Sequence, residues 1–177
     1  MKVLLNLTGK SQYDADIKES YRPSACGPTT AHVILNYMCA DKEVSKKSVN
    51  ELYKLLGSTK IGLFKWRMIR NLQRLLGNDW LVTDCTLNEA LNELRNGRPV
   101  AMKFDKYFTF HWKSKPLFNY HWVPLVGYEI VAGKLYLTIH DNGGRNRKSQ
   151  LRQLLLNRQL LPNPLLLHIH HRYQQLH

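Results

Sequence analysis

Apolar positions change period partway along this chain. Up to Gly97 they recur at helical spacing, and beyond it they run together or alternate. Ser48 and Glu51 form a capping box ahead of Leu52, Leu55 and Leu56, and Gly57 marks the stop. Thr86 and Glu89 repeat that box before Leu87, Ala90, Leu91 and Leu94, with Gly97 closing the helix. Between them, Met68, Ile69, Leu72, Leu75 and Leu76 give one face of a helix from Phe64 to Leu76. An earlier apolar run, Ala31 to Met38, predicts a helix beginning at Cys26 and reaching about Tyr37. A weakly alternating segment, Val3 to Leu7, and a polar loop containing Gln12 come first, and a charged loop, Asp41 to Lys47, follows the first helix.

The second half reads as strands. Pro99 to Phe104, Trp122 to Ile130 (opened by His121) and Leu135 to His140 have the length and composition of strands. Val131, Ala132 and Gly133 would join the last pair as a three-residue connection, with Ile130 facing Lys134. The tail is expected to add a helix from Gln150 to Asn157 and a strand from Leu165 to Ile169. No repeat, linker or low-complexity block interrupts the chain. The expectation is therefore one α+β domain over residues 1–177, helices first and an antiparallel sheet after them.

Composition narrows the class. The 177 residues, 44% apolar, suffice for a packed core, and no run of about twenty apolar residues could span a membrane. The hydrophobic stretch after Met1 is too short for a secretory signal, which implies a cytoplasmic protein. Three scattered cysteines (Cys26, Cys39 and Cys85) fit neither a disulfide framework nor zinc-finger spacing. The net charge of +13 is concentrated late: Asp141 is the last acidic residue, and Arg145, Arg147, Lys148, Arg152, Arg158 and Arg172 follow it. Arg67, Arg70 and Arg74 form a second basic stripe on one helix face. Such a balance attracts anionic partners, nucleic acid included. No RNA-binding fingerprint, zinc knuckle or helix-turn-helix pattern accompanies it, so a solvated basic surface is the expected meaning.

The chemistry centres on Ala25-Cys26-Gly27-Pro28-Thr29-Thr30. A thiol at a helix start faces unpaired N–H groups and the positive end of the helix dipole, which favour the thiolate. Gly27 leaves the backbone open to substrate, and Pro28 suits a first turn because it needs no N–H partner. Cys39 and Cys85 lack such surroundings and are assigned to packing. Eight histidines are available as the base. His168, His170, His171 and His177 have no acidic or cysteine neighbour in the sequence, so no metal, and no other cofactor, is expected. His32 lies on a different side of the first helix from Cys26 and reads as structural. His111 sits in a lysine-rich run without a carboxylate partner. In the hairpin register above, His121 and Asp141 become diagonal neighbours on one sheet face, where a carboxylate would fix and charge-stabilise an imidazole. Gln12 is the best side-chain donor for an oxyanion.

Several separated motifs resemble one family. Gln12-Tyr13-Asp14, Ser24 to Thr30, Asn36-Tyr37, Leu94 to Val100, His121-Trp122-Val123 and Gly127-Tyr128 are similar to stand-alone members of the bacteriocin-leader (double-glycine) peptidases, within the papain-like superfamily. The resemblance implies a papain-like fold and a cysteine peptidase acting on a peptide or protein. Cys26 would be the nucleophile, His121 the base, Asp141 the orienting residue and Gln12 the oxyanion-hole side chain, with Gly27 and Trp122 against substrate. The chain departs from that pattern where Asn142, not proline, follows Asp141; Asn142 is a substitute orienter. It carries no transporter or ATPase region, so cleavage after a double glycine is not assumed. Acyl transfer or amidase chemistry on the same scaffold, and an inactive basic binding module, are the competing readings.

Overall fold

A computed structural model describes residues 1–104, 121–156 and 165–171, so His111 and its lysine-rich run lie outside the described residues, as do Arg158, Arg172 and His177. Four helices and seven strands follow in the order β1 (Lys2–Leu4), α1 (Cys26–Met38), α2 (Val49–Leu55), α3 (Lys65–Leu76), β2 (Trp80–Cys85), α4 (Leu87–Arg95), β3 (Val100–Phe104), β4 (His121–Val131), β5 (Lys134–Asp141), β6 (Gln150–Leu156) and β7 (Leu165–His171). Both predicted capping boxes are present, Ser48 with Glu51 and Thr86 with Glu89, each satisfying two N–H groups that the first helical turn leaves unpaired.

All seven strands join one antiparallel sheet, ordered β2-β7-β3-β4-β5-β6. The eleven-residue β4 is long enough to take two neighbours on one edge: β3 pairs with His121–Leu125, and β1 pairs with Gly127–Glu129. The sheet separates two cores. Ile34, Leu35, Leu52, Leu56, Met68 and Leu72 from α1, α2 and α3 meet Trp122, Leu167 and Ile169 on one side. On the other, Ala90, Leu91 and Leu94 of α4 meet Val123, Leu125, Leu137 and Leu166. Strand alternation accounts for the division, because successive side chains point to opposite faces.

The structure corrects the sequence expectation in three places. Gln150 to Leu156 is a strand on the β5 edge, not a helix. Its Leu154 and Leu156 are buried while Leu151 and Leu155 are exposed, so pairing to β5 and a period of two override the helix propensity of its leucines. Trp80 to Cys85 is a strand that the sequence reading left out, although Trp80 and Val82 alternate inward after a Gly77-Asn78-Asp79 turn signal. Strands of the first half, β1 and β2, thus enter a sheet expected from the second half alone.

The third correction concerns the β4–β5 hairpin. Val131 pairs with Lys134, which leaves a two-residue loop, not three. Both loop residues have positive φ, 48° at Ala132 and 73° at Gly133, as a type I′ turn requires. The register is therefore offset by one residue near the turn. A bulge between Leu125 and Gly127 absorbs that offset, and Leu125 faces Ile139. That pair is the one the expected register requires, since Ile130 facing Lys134 would also set Leu125 opposite Ile139. Ala132 holds a left-handed conformation that costs a residue with a Cβ about 1 kcal/mol. Ala132→Gly should raise stability by about 0.5–1 kcal/mol, read as a higher urea midpoint at unchanged slope. A lower midpoint would show that the turn carries no strain.

Candidate active site

Cys26 is the first residue of α1 and is 4% exposed. Burial, the largest influence, pushes its thiol above the ordinary value. Backbone N–H groups of Trp122, Gly27 and Cys26 itself work in the opposite direction, as does the Lys103 ammonium. The N–H of Trp122 is informative about position, because it places the sulfur at the start of β4, one residue beyond His121. Lys103 is a buried cation on β3, paired across to Trp122, and the sequence reading did not single it out. The signal was there: a lysine inside the otherwise apolar strand Val-Ala-Met-Lys-Phe.

His121 opens β4 and Asp141 closes β5. Alternation puts His121 on the same face as Val123 and Leu125, and Asp141 on the same face as Leu137 and Ile139; these four apolar residues share one cluster. The structure therefore brings His121 and Asp141 to one sheet face, as expected. Burial lowers the His121 pKa to about 4, the Asp141 charge works to raise it, and Arg147 lowers it further. The imidazole is consequently neutral across ordinary pH and able to accept a proton.

Asp141, 1% exposed, is held by cations that the sequence reading assigned to a solvated surface. Arg147 Nη2 and Arg152 Nε lie 2.9 and 2.8 Å from its Oδ2, and the Gly143 N–H donates to Oδ1 at 3.2 Å. The basic segment after Asp141 thus turns back on it. A buried carboxylate needs such pairing, since an uncompensated charge there costs several kcal/mol.

Asn142 occupies the position read as a substitute orienter, and its side chain faces elsewhere. Its amide nitrogen donates to Trp122 O at 2.8 Å, Thr30 Oγ1 at 3.0 Å and Cys26 O at 3.1 Å. Two amide hydrogens are shared among three acceptors. Its backbone oxygen accepts from the Gln12 N–H at 2.9 Å. Gln12 is buried, and its Nε2 donates to Arg22 O at 2.7 Å, which leaves one amide hydrogen for other use. Beside that loop lies a cleft of about 290 Å³ walled by Tyr13, Glu19, Arg22, Pro23 and Arg145.

The remaining expectations divide. Trp122 is buried without exposure, its indole N–H donating to Leu63 O at 2.8 Å, so its side chain belongs to the same core as Cys26. Gly27 is required by that same packing: a Cβ there would sit 2.7 Å from Leu63 Cβ. His32 is structural as expected, bonded to Lys47 O and Asn36. Cys39 and Cys85 have thiols pushed by burial to about 11 and about 12. No helix among the described residues is long and apolar enough to cross a membrane.

A family model described as the Peptidase_C39 like family matches residues 4–160. No curated protein matches the sequence.

Asn142→Ala would take two amide hydrogens away from three buried acceptors, each hydrogen bond worth about 1 kcal/mol. The expected loss is about 2 kcal/mol, measured by chemical denaturation at neutral pH. A change within about 0.5 kcal/mol, the range of an ordinary surface substitution, would contradict the clamp.

Proposed function

The chain belongs to the Peptidase_C39 like family, and on that premise we propose that it hydrolyses peptide bonds through a Cys26–His121 pair oriented by Asp141. The observation that carries this reading is the Cys26 thiol at the N-terminus of α1, facing the backbone N–H next to His121. Family membership points to peptidase activity and a peptide or protein substrate.

The reaction follows from the charges at rest. The thiol is protonated and the imidazole neutral, because burial disfavours both ions. Sulfur attacks the substrate carbonyl carbon as His121 accepts the thiol proton. The negative oxygen is met by the Cys26 backbone N–H and the remaining Gln12 amide hydrogen. The C–N bond then breaks, His121 hands its proton to the leaving amine, and the acyl group stays on sulfur as a thioester. Water, deprotonated by His121, attacks the thioester; the acid leaves and the thiol regains its proton. Asp141 steadies the imidazolium formed in between, and Lys103 favours negative sulfur.

A thiol-directed probe and a peptide-library digest test this together. Cys26→Ala should abolish site-specific labelling and cleavage, and His121→Ala should lower cleavage by about 10²–10⁴-fold with the fold intact. Equal labelling of the Cys26→Ala protein would defeat the assignment. Products carrying an added amine, in place of free acid, would move it to acyl transfer.

The pH response has a definite sign. With the thiol raised above 9.0 and His121 lowered to about 4, labelling of Cys26 should climb as pH rises past neutrality. A rate already level from pH 5 upward would mean a preformed thiolate–imidazolium pair and would refute the neutral resting state.

A further inference from the structure

On the sheet face away from Cys26, β7 carries two histidines toward α4. Leu167 and Ile169 of β7 pack with α1 and α3, so alternation turns His168 and His170 to the side of Leu166 and α4. There they meet Glu93, the carboxylate that the sequence alone did not place near them. His168 Nδ1 lies 3.8 Å from Glu93 Oε1, and His170 Nδ1 lies 3.9 Å from Glu93 Oε2. The two imidazoles are edge to face with centroids 4.6 Å apart.

Buried polar atoms normally find partners. The His170 side chain is 2% exposed, yet among the described residues neither of its ring nitrogens has a hydrogen-bond partner, and neither has Nδ1 of His168. A neutral imidazole has a lone pair to offer a metal ion. One candidate donor atom from each of Glu93, His168 and His170 lies within 4.8 Å of the other two. A tetrahedral ion with bonds of about 2 Å sets its donors about 3.3 Å apart, so the side chains must close by up to about 1.5 Å. We propose that Glu93, His168 and His170 form a binding site for a divalent transition metal of the zinc class, a clip between α4 and β7. Two imidazoles and a carboxylate are the donor set this class of ion prefers, with water in the fourth position.

Arg98 is the opposing element. Its guanidinium holds both Glu93 oxygens, with Nη2 3.0 Å from Oε1 and Nε on Oε2. Each carboxylate oxygen has a second lone pair, so Arg98 and the ion share Glu93, and the cation weakens the site. The ion would join elements already packed on each other, independently of the chemistry at Cys26.

Metal-free full-length protein is titrated with Zn²⁺ by calorimetry, and with Co²⁺ by visible absorption. The expected result is one equivalent bound, an intense four-coordinate Co²⁺ band and a Zn²⁺-dependent rise in melting temperature. Glu93→Gln and His170→Gln should each weaken binding at least about tenfold, and Arg98→Gln should tighten it. His171→Ala should leave it unchanged, because that ring packs on Trp80 at the opposite face. No saturable Zn²⁺ binding, equal binding by the Glu93→Gln protein, or a weak six-coordinate Co²⁺ spectrum would each overturn the proposal. Should His170→Gln fail to fold, the wild-type Co²⁺ spectrum and Glu93→Gln still decide it.

Discussion

One buried amide organises the candidate site. Asn142 reaches from the end of β5 to the first turn of α1 and to the first residues of β4, and its backbone holds the Gln12 loop. A helix start and a strand start that come from distant parts of the chain are thereby fixed within one hydrogen-bond length of a common atom. Packing alone would not do this, since apolar contacts are non-directional. Acceptors on α1 and β4 that share one donor cannot drift apart without losing one of its hydrogen bonds. The residue that the family pattern would fill with proline could not make these bonds, because proline has no side-chain donor.

The charges around this clamp act on His121 in opposite directions. His121 sits between an aspartate that would charge it and an arginine that resists, and burial tips the balance to the neutral form. Arg147 and Arg152 compensate Asp141 in the meantime. An imidazolium formed during reaction would compete with those guanidinium groups for the same carboxylate. Proton acceptance by His121 is therefore coupled to how tightly the arginines hold Asp141. A basic segment that looks like a solvated surface in the sequence becomes part of the site's electrostatics.

Local signals were the legible ones. Two capping boxes, the helical stripes of α2, α3 and α4, and the strand runs of β3, β4 and β5 each state their structure within about ten residues. What failed depended on partners distant in sequence. Gln150 to Leu156 has good helix formers and became a strand because β5 offered an open edge. The pairing of Asp141 with Arg147 and Arg152, and the reach of Asn142, need the fold before they can be seen. His121 and Asp141 were placed on one face by a hairpin register that was wrong at the turn. A bulge at Val126 shifted the strands by the missing residue, so the Leu125–Ile139 pairing matches the expected register although the turn does not. A register argument is thus safe only when no bulge lies between the turn and the residues of interest.

The period of two also explains how one sheet can hold two unrelated polar clusters. In β7, alternate residues enter the α1–α3 core or turn toward α4, so histidines two apart collect on one side while Leu167 and Ile169 fill the other. In β4 the same rule sends the Trp122 ring into the first core and His121 to the opposite face. Cys26 belongs to the first core, while His121 and Asp141 lie on the second face, at the sheet rim where β4 begins and β5 ends.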